Sequence, residues 1–233
     1  MRPGRLIGVG VGPGDPELMT LKAARTIERA AVVAFIGARG RSSRARQVAA
    51  GHIRPGTREL AFAMPMSGDT EETGGIYDVM AGAIAAELDR GHDVCFLCEG
   101  DPLFYGSFAY LLERMQARYP CLAVPGVSSL HAAAAATLRP VALRDAPLLV
   151  LPATLPAARL EALLAAASGA VVVKVGRHLA KVRAALAAQG MAEGAVLVEN
   201  VGTPEERVRP LDRVEGEASP YFALVLAQRP DAG

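Results

Sequence analysis

Along this chain, short continuous apolar runs alternate with segments whose apolar residues recur every three or four positions. Runs of four to eight apolar residues bounded by Gly or Pro suit buried strands, and the three-to-four spacing suits helices. Read this way, strands fall at 5–11, 31–36, 58–63, 93–98 and 122–124, and helices at 18–30, 42–50, 70–90, 107–118 and 129–137. Leu18, Leu21, Ala24 and Ile27 mark one face of the first helix, and Gly91 ends the third. From Leu138 to Pro147 the periodicity lapses across two prolines, which puts a boundary near residue 143 and domains at 1–143 and 144–233. Beyond it come strands at 148–151, 170–175 and 195–199, with helices at 156–166 and 178–189. The last two runs, 207–210 and 221–227, have no helix between them and are expected to pair as an antiparallel hairpin. The expectation is an α/β protein of two domains, the N-terminal one mostly parallel and the C-terminal one mixed.

Composition narrows the function. The 233 residues carry 25 Lys+Arg against 24 Asp+Glu, a net charge of +1, so nothing overall draws the chain to nucleic acid or an anionic membrane. Aromatics are 5% and Trp is absent, which leaves no stacking wall for single strands. No apolar run approaches the roughly 20 residues of a membrane span, and the N-terminal run is broken by glycines. The expected location is therefore cytoplasmic. Cys95 and Cys98 form a C-x-x-C inside a strand. Residues three apart on a strand face opposite ways, so the expectation is two buried thiols and no metal. His52, His92, His131 and His178 show no ligand spacing.

The candidate chemistry lies in three loops that follow strands. Gly8-Val9-Gly10-Val11-Gly12-Pro13-Gly14-Asp15-Pro16 invites a dinucleotide reading, but the third glycine of G-x-G-x-x-G would fall on Pro13 or Asp15. Pro13 also lacks a backbone donor, so the loop is no continuous cradle for phosphate. Glu99-Gly100-Asp101-Pro102 and Pro125-Gly126-Val127-Ser128-Ser129 follow two further strands. Ligands of open α/β sheets bind beyond the carboxyl ends of the strands, so the three loops are expected to converge on one site. The alternative for Asp101 is that it simply caps a helix after Pro102.

The runs GVGVGPGDPELMTLKAARTI, CEGDPLFYGSFAY and VPGVSS, with KVGRHLAKVR and PEERV further on, resemble the tetrapyrrole (corrin/porphyrin) methylases, a family of S-adenosylmethionine-dependent methyltransferases. Within it, GRSSRA (40–45), YGSF (105–108) and VGR (175–177) most resemble members that methylate C(20) of precorrin-2; the alternatives are the cobalt-containing version of that step and methylation of a different corrin carbon. The resemblance implies two α/β domains with the cofactor in the cleft between them, and a homodimer. It implies that Pro13 borders the substrate trough, that Gly100, Asp101, Phe104 and Tyr105 lie at the cofactor, and that Ser128 and Ser129 contact its methionyl end. Val175, Gly176, Val201 and Gly202 would offer backbone groups to its adenine. S-adenosylhomocysteine would be the by-product.

The implied substrate is a reduced tetrapyrrole bearing eight carboxylates. Arginines bind carboxylates bidentately, and Arg39, Arg41, Arg44 and Arg46 cluster in one segment with Ser42. They are the candidates to grip acetate or propionate arms. A sulfonium methyl needs little beyond in-line positioning and exclusion of water. Accordingly no Ser–His–Asp set or paired carboxylates stand out, and Glu99 and Tyr105 are the candidates for handling the proton lost after transfer.

Overall fold

In the computed structural model, residues 2–38, 43–64 and 70–229 are described. By its contacts the chain divides into two units, residues 1–128 and 129–233.

The first unit is built on β1 (Leu6–Gly10), β2 (Val32–Ala38), β3 (Arg58–Met64), β4 (Val94–Cys98) and β5 (Cys121–Val124). The strands lie in the order β3-β2-β4-β1-β5, and every pairing is parallel. Strands β1 and β4 are buried at every residue, which explains their unbroken apolar sequences. The helices are α1 (Leu21–Glu28), α2 (Arg44–Val48), α3 (Thr70–Leu88) and α4 (Phe108–Met115). The first starts later than its apolar spacing suggests. Thr20 caps it by accepting from the Ala23 N–H at 3.1 Å, and Pro16–Leu18 forms a separate 3-10 turn capped by Asp15. Ala23 and Ile27 of α1 pack with Val9, Val33, Cys95 and Leu97. On the opposite face Met80, Ile84 and Leu88 of α3 and Phe108, Leu111 and Met115 of α4 pack with Leu6, Phe96 and Cys98. Cys95 and Cys98 therefore belong to different faces. Burial pushes the Cys95 thiol up to about 12 and raises that of Cys98 as well, so both are inert core residues.

The second unit contains α5 (Ser129–Thr137), β6 (Leu148–Pro152), α6 (Ala157–Ala165), β7 (Gly169–Val173), α7 (Leu179–Ala188), β8 (Val196–Glu199), β9 (Arg207–Pro210) and β10 (Ala223–Gln228). Its sheet runs β6-β7-β10-β8-β9, with β6 and β7 parallel and the other neighbours antiparallel. Leu160 and Leu164 of α6 and Leu179, Val182 and Leu186 of α7 are fully buried against Val172, Leu197 and Val225. Each such leucine contributes about 2 kcal/mol by leaving water.

Two expectations change here. The last two strands do not form a hairpin, because β8 lies between them and pairs with both. All four residues of β8 are buried and need a neighbour on each side, whereas β9 is largely exposed and suits the sheet edge. The division into units falls at 128/129 and not near 143, because α5 packs against β10 of the second sheet.

Candidate active site

The order of the first sheet creates a switch point. From β1 the chain crosses toward β2, and from β4 it crosses back toward β5, so these adjacent strands send their connections in opposite directions. The crevice outside the strand ends at such a point is the binding region of open α/β sheets.

The loops that leave β1, β4 and β5 meet there through glycine backbones. Gly12 and Gly100 form an antiparallel bridge, with the Gly100 N–H donating to Gly12 O at 2.8 Å and the Gly12 N–H to Gly100 O at 3.3 Å. A Cβ on Gly10 would stand 2.5 Å from the Gly100 oxygen, and one on Gly126 would collide with that same oxygen. Only residues without a side chain let three strand ends approach this closely. The Val11 N–H is also spent internally, on Cys98 O at 2.9 Å, and Pro13 is buried.

Asp101 fastens the junction. Its Oδ1 accepts from the Leu103 N–H at 2.9 Å and its Oδ2 from the Gly126 N–H at 3.1 Å. It makes a local turn and a cross-loop link, and α4 begins only at Phe108. Leu103, Phe104 and Tyr105 follow as an exposed apolar tip, with the Phe104 and Tyr105 rings edge to face at 5.1 Å. Tyr105 has a φ of 54°, a left-handed conformation that costs a tyrosine about 1–2 kcal/mol. Ser128 is buried, and Ser129 opens α5.

Glu99 sits on the same edge. Part of the residue is open to solvent, yet the protein surrounding it raises its carboxyl pKa by desolvation. A hydrogen bond from the Ala45 N–H and the charge of Arg44 pull the other way. Arg44, half-buried as the first residue of α2, thus stands within electrostatic reach of Glu99. Arg46 does not serve as a free carboxylate receptor, because its Nε and Nη2 already hold Glu59 at 3.1 and 2.9 Å. Arg39, Arg41 and Ser42 lie outside the described residues.

In the second unit β7 and β8 both run antiparallel to β10, so their exits share one sheet edge. The exits carry Val175 with Gly176 and Val201 with Gly202. Both are sharply bent, since Lys174 and Asn200 have φ of 58° and 49°. The Gly202 N–H is engaged, donating to Glu206 Oε2 at 2.7 Å, and the Gly176 carbonyl accepts from the Ser219 N–H at 3.0 Å. The sequence signal for Glu206 is only its position four residues after Gly202, which fits a carboxylate closing a tight loop. Gly10 and Gly126 stand inside the loop motifs of the sequence, but only the packing of the three loops shows that neither position can hold a side chain. Among the described residues no group of three or more His, Cys, Asp and Glu could hold a metal ion, and no helix is long and apolar enough to cross a membrane.

Comparison with known proteins supplies the class. Residues 5–214 match the family of Tetrapyrrole (Corrin/Porphyrin) Methylases. The chain belongs to that family. It is 39% identical to a precorrin-2 C(20)-methyltransferase of Sinorhizobium sp, over 96% of this chain and 94% of that one. It is 45% identical to the cobalamin biosynthesis protein CobIJ of Mycobacterium tuberculosis, over 96% of this chain but 46% of that protein, so it spans about half the length of this relative. Among solved structures, uroporphyrin-III C-methyl transferase from Thermus thermophilus complexed with S-adenosylhomocysteine superposes with a TM-score of 0.70 at 26% identity, covering 97% of this chain and 92% of that one.

Proposed function

We propose that this chain transfers a methyl group from S-adenosylmethionine to C(20) of precorrin-2, giving precorrin-3A. The observation that carries this reading is the 39% identity to a precorrin-2 C(20)-methyltransferase along nearly the whole of both chains. The glycine junction supports a site here, because it draws the loops after β1, β4 and β5 together beyond the strand ends, with Asp101 and the Phe104–Tyr105 tip beside them. The cofactor supplies an electrophilic sulfonium methyl. In this reading Pro13, Gly100, Asp101, Phe104, Tyr105, Ser128 and Ser129 bind it together with Val175, Gly176, Val201 and Gly202. The Gly202 contact falls to its carbonyl, since its N–H is held by Glu206. Asp101 keeps a lone pair on each oxygen beyond those taken by Leu103 and Gly126.

Arg39, Arg41, Ser42 and Arg44 hold the substrate carboxylates. The chain's task is to orient a nucleophilic carbon in line with the methyl and to exclude water. Glu99, with its raised pKa and Arg44 nearby, is the group that accepts the proton lost from that carbon. A cytoplasmic homodimer belongs to the same reading.

The test is mass spectrometry after incubation with S-adenosylmethionine and either precorrin-2 or cobalt-precorrin-2. One added methyl group is expected, and the preferred substrate gives the metal state. No added methyl on either substrate overturns the reading. Calorimetry should detect S-adenosylmethionine and S-adenosylhomocysteine but not NADH.

A further inference from the structure

A second concave feature of the first unit lies away from the strand ends. Residues of α1, β1 and β5 line a groove of about 580 Å³ on one face of the sheet. Its floor is apolar, formed by Ile7 of β1 and Leu122 and Val124 of β5. Leu122 is 48% exposed and Leu21, on the opposite rim, 73% exposed. The α1 rim also carries Lys22, Arg25 and Arg29, all exposed. Among the described residues none of these three side chains has an acidic or hydrogen-bonding partner. Arg5, at the end of the groove, is neutralised by Asp93 at 2.5 Å.

We propose that this groove binds an amphipathic organic anion, with an apolar ring body lying on Ile7, Leu122 and Val124 and acidic groups meeting Lys22, Arg25 and Arg29. The volume falls within the range of small-molecule sites, roughly 300–1,000 Å³. Leu122 offers exposed apolar area above the buried Ile7 and Val124, and the three cations supply charge on one side only. That asymmetry selects a ligand with an apolar body and an anionic edge. A second copy of the chain is the competing occupant, and sedimentation distinguishes it.

The test uses 8-anilinonaphthalene-1-sulfonate as the amphipathic anion and N-phenyl-1-naphthylamine as its uncharged counterpart. Both are titrated by fluorescence into the wild type and into Arg25→Glu/Arg29→Glu. Sedimentation velocity is run on both proteins. Both substitutions are on an exposed helix face, and circular dichroism checks the fold. The expected result is saturable sulfonate binding that weakens by about tenfold or more in the double variant. Binding of the uncharged probe and the sedimentation coefficient should be unchanged. Sulfonate affinity unaffected by the charge reversal overturns the proposal. So does a double variant that sediments as a smaller species, which would make the groove a self-association surface.

Discussion

The Oδ2 of Asp101 accepts a hydrogen bond from the Gly126 N–H at 3.1 Å, tying the loop after β4 to the loop after β5. Its Oδ1 is taken up at the same time by the Leu103 N–H at 2.9 Å. Hydrogen bonds to an ionised acceptor are worth about 1.5–3 kcal/mol. Asp101→Ala removes two of them in a half-exposed setting and should cost about 2 kcal/mol. Asp101→Asn retains one acceptor oxygen and should restore part of that. If Asp101 also contacts the cofactor, the Asn variant will recover stability while the dissociation constant for S-adenosylhomocysteine stays raised. Thermal unfolding and calorimetry on the same samples separate the two contributions.

The glycine junction is expected to tolerate no methyl group. In Gly10→Ala the new Cβ would be 2.5 Å from Gly100 O and 2.7 Å from Gly126 N, and both obstacles are backbone that cannot rotate away. Gly126→Ala meets the same oxygen. Each variant should lose about 3 kcal/mol or more. Gly82→Ala is the control. It lies inside α3 with nothing within 4 Å of its Cβ, so it should gain about 0.5–1 kcal/mol from reduced unfolded-state entropy. Denaturant titration of the three variants checks both signs.

The strand-and-helix alternation was legible because buried parallel strands are unbroken apolar runs and the helices keep a three-to-four period. The opposed faces of Cys95 and Cys98 followed from strand geometry alone. The meeting of three glycine loops was legible from their common place after strands. The bond from Gly126 to Asp101 was not, because it joins positions 25 residues apart. Arg46 reads as one of four arginines in a basic segment until Glu59, on β3, is seen to claim it. The mispaired last strands have a similar cause. Local periodicity marks 207–210 and 221–227 as strands, but only the full burial of β8 reveals that it must sit between them.

Desolvation raises the Glu99 carboxyl pKa. A raised value means the group stays protonated to higher pH than an ordinary carboxyl, and only the carboxylate can take a proton. If Glu99 accepts the proton released in methyl transfer, turnover should fall on the acid side as pH drops through this raised value. In Glu99→Gln that acid limb should vanish, along with much of the rate, while S-adenosylhomocysteine binds as before. An unchanged pH–rate profile in the variant would remove Glu99 from the reaction.

Acid should weaken the first unit, and Glu87 is one reason. Its buried carboxylate meets His92 at 3.0 Å, Arg58 at 3.1 Å and Arg90 at 2.7 Å. The hydrogen bond from His92 and then the two arginine charges hold its pKa below the usual value. Asp93 and Glu59 are lowered in the same sense by Arg5 and Arg46. A depressed carboxylate stabilises the fold above its unfolded-state pKa, and that contribution is lost as pH falls through the folded value. Stability should therefore be flat at neutral pH and fall below roughly pH 4.5, the ordinary range of these carboxyls. Glu87→Gln should flatten part of that decline, as measured by urea unfolding at several pH values.

Arg229 is expected to anchor the second unit. Its guanidinium donates to the carbonyls of Leu164 at 3.2 Å, Ala165 at 3.1 Å and Ala167 at 2.8 Å, which end α6, and to that of Gln189 at 3.0 Å, which ends α7. Carbonyls at helix C-termini lack intrahelical donors, and a cation there also meets the negative end of each helix dipole. One planar fork thus closes two helices onto the end of β10. Arg229→Ala should cost about 2 kcal/mol, because the guanidinium's hydrogen bonds to all four carbonyls are lost together, although the Leu164 carbonyl keeps the Ala167 N–H. Arg229→Lys should recover little, since a single ammonium cannot span acceptors on two helices. Hydrogen exchange gives the more specific readout. Protection should drop at the C-terminal turns of α6 and α7 and stay unchanged in β1 and β4. Equal loss across the whole chain would show that Arg229 acts on global stability and not as a local clasp.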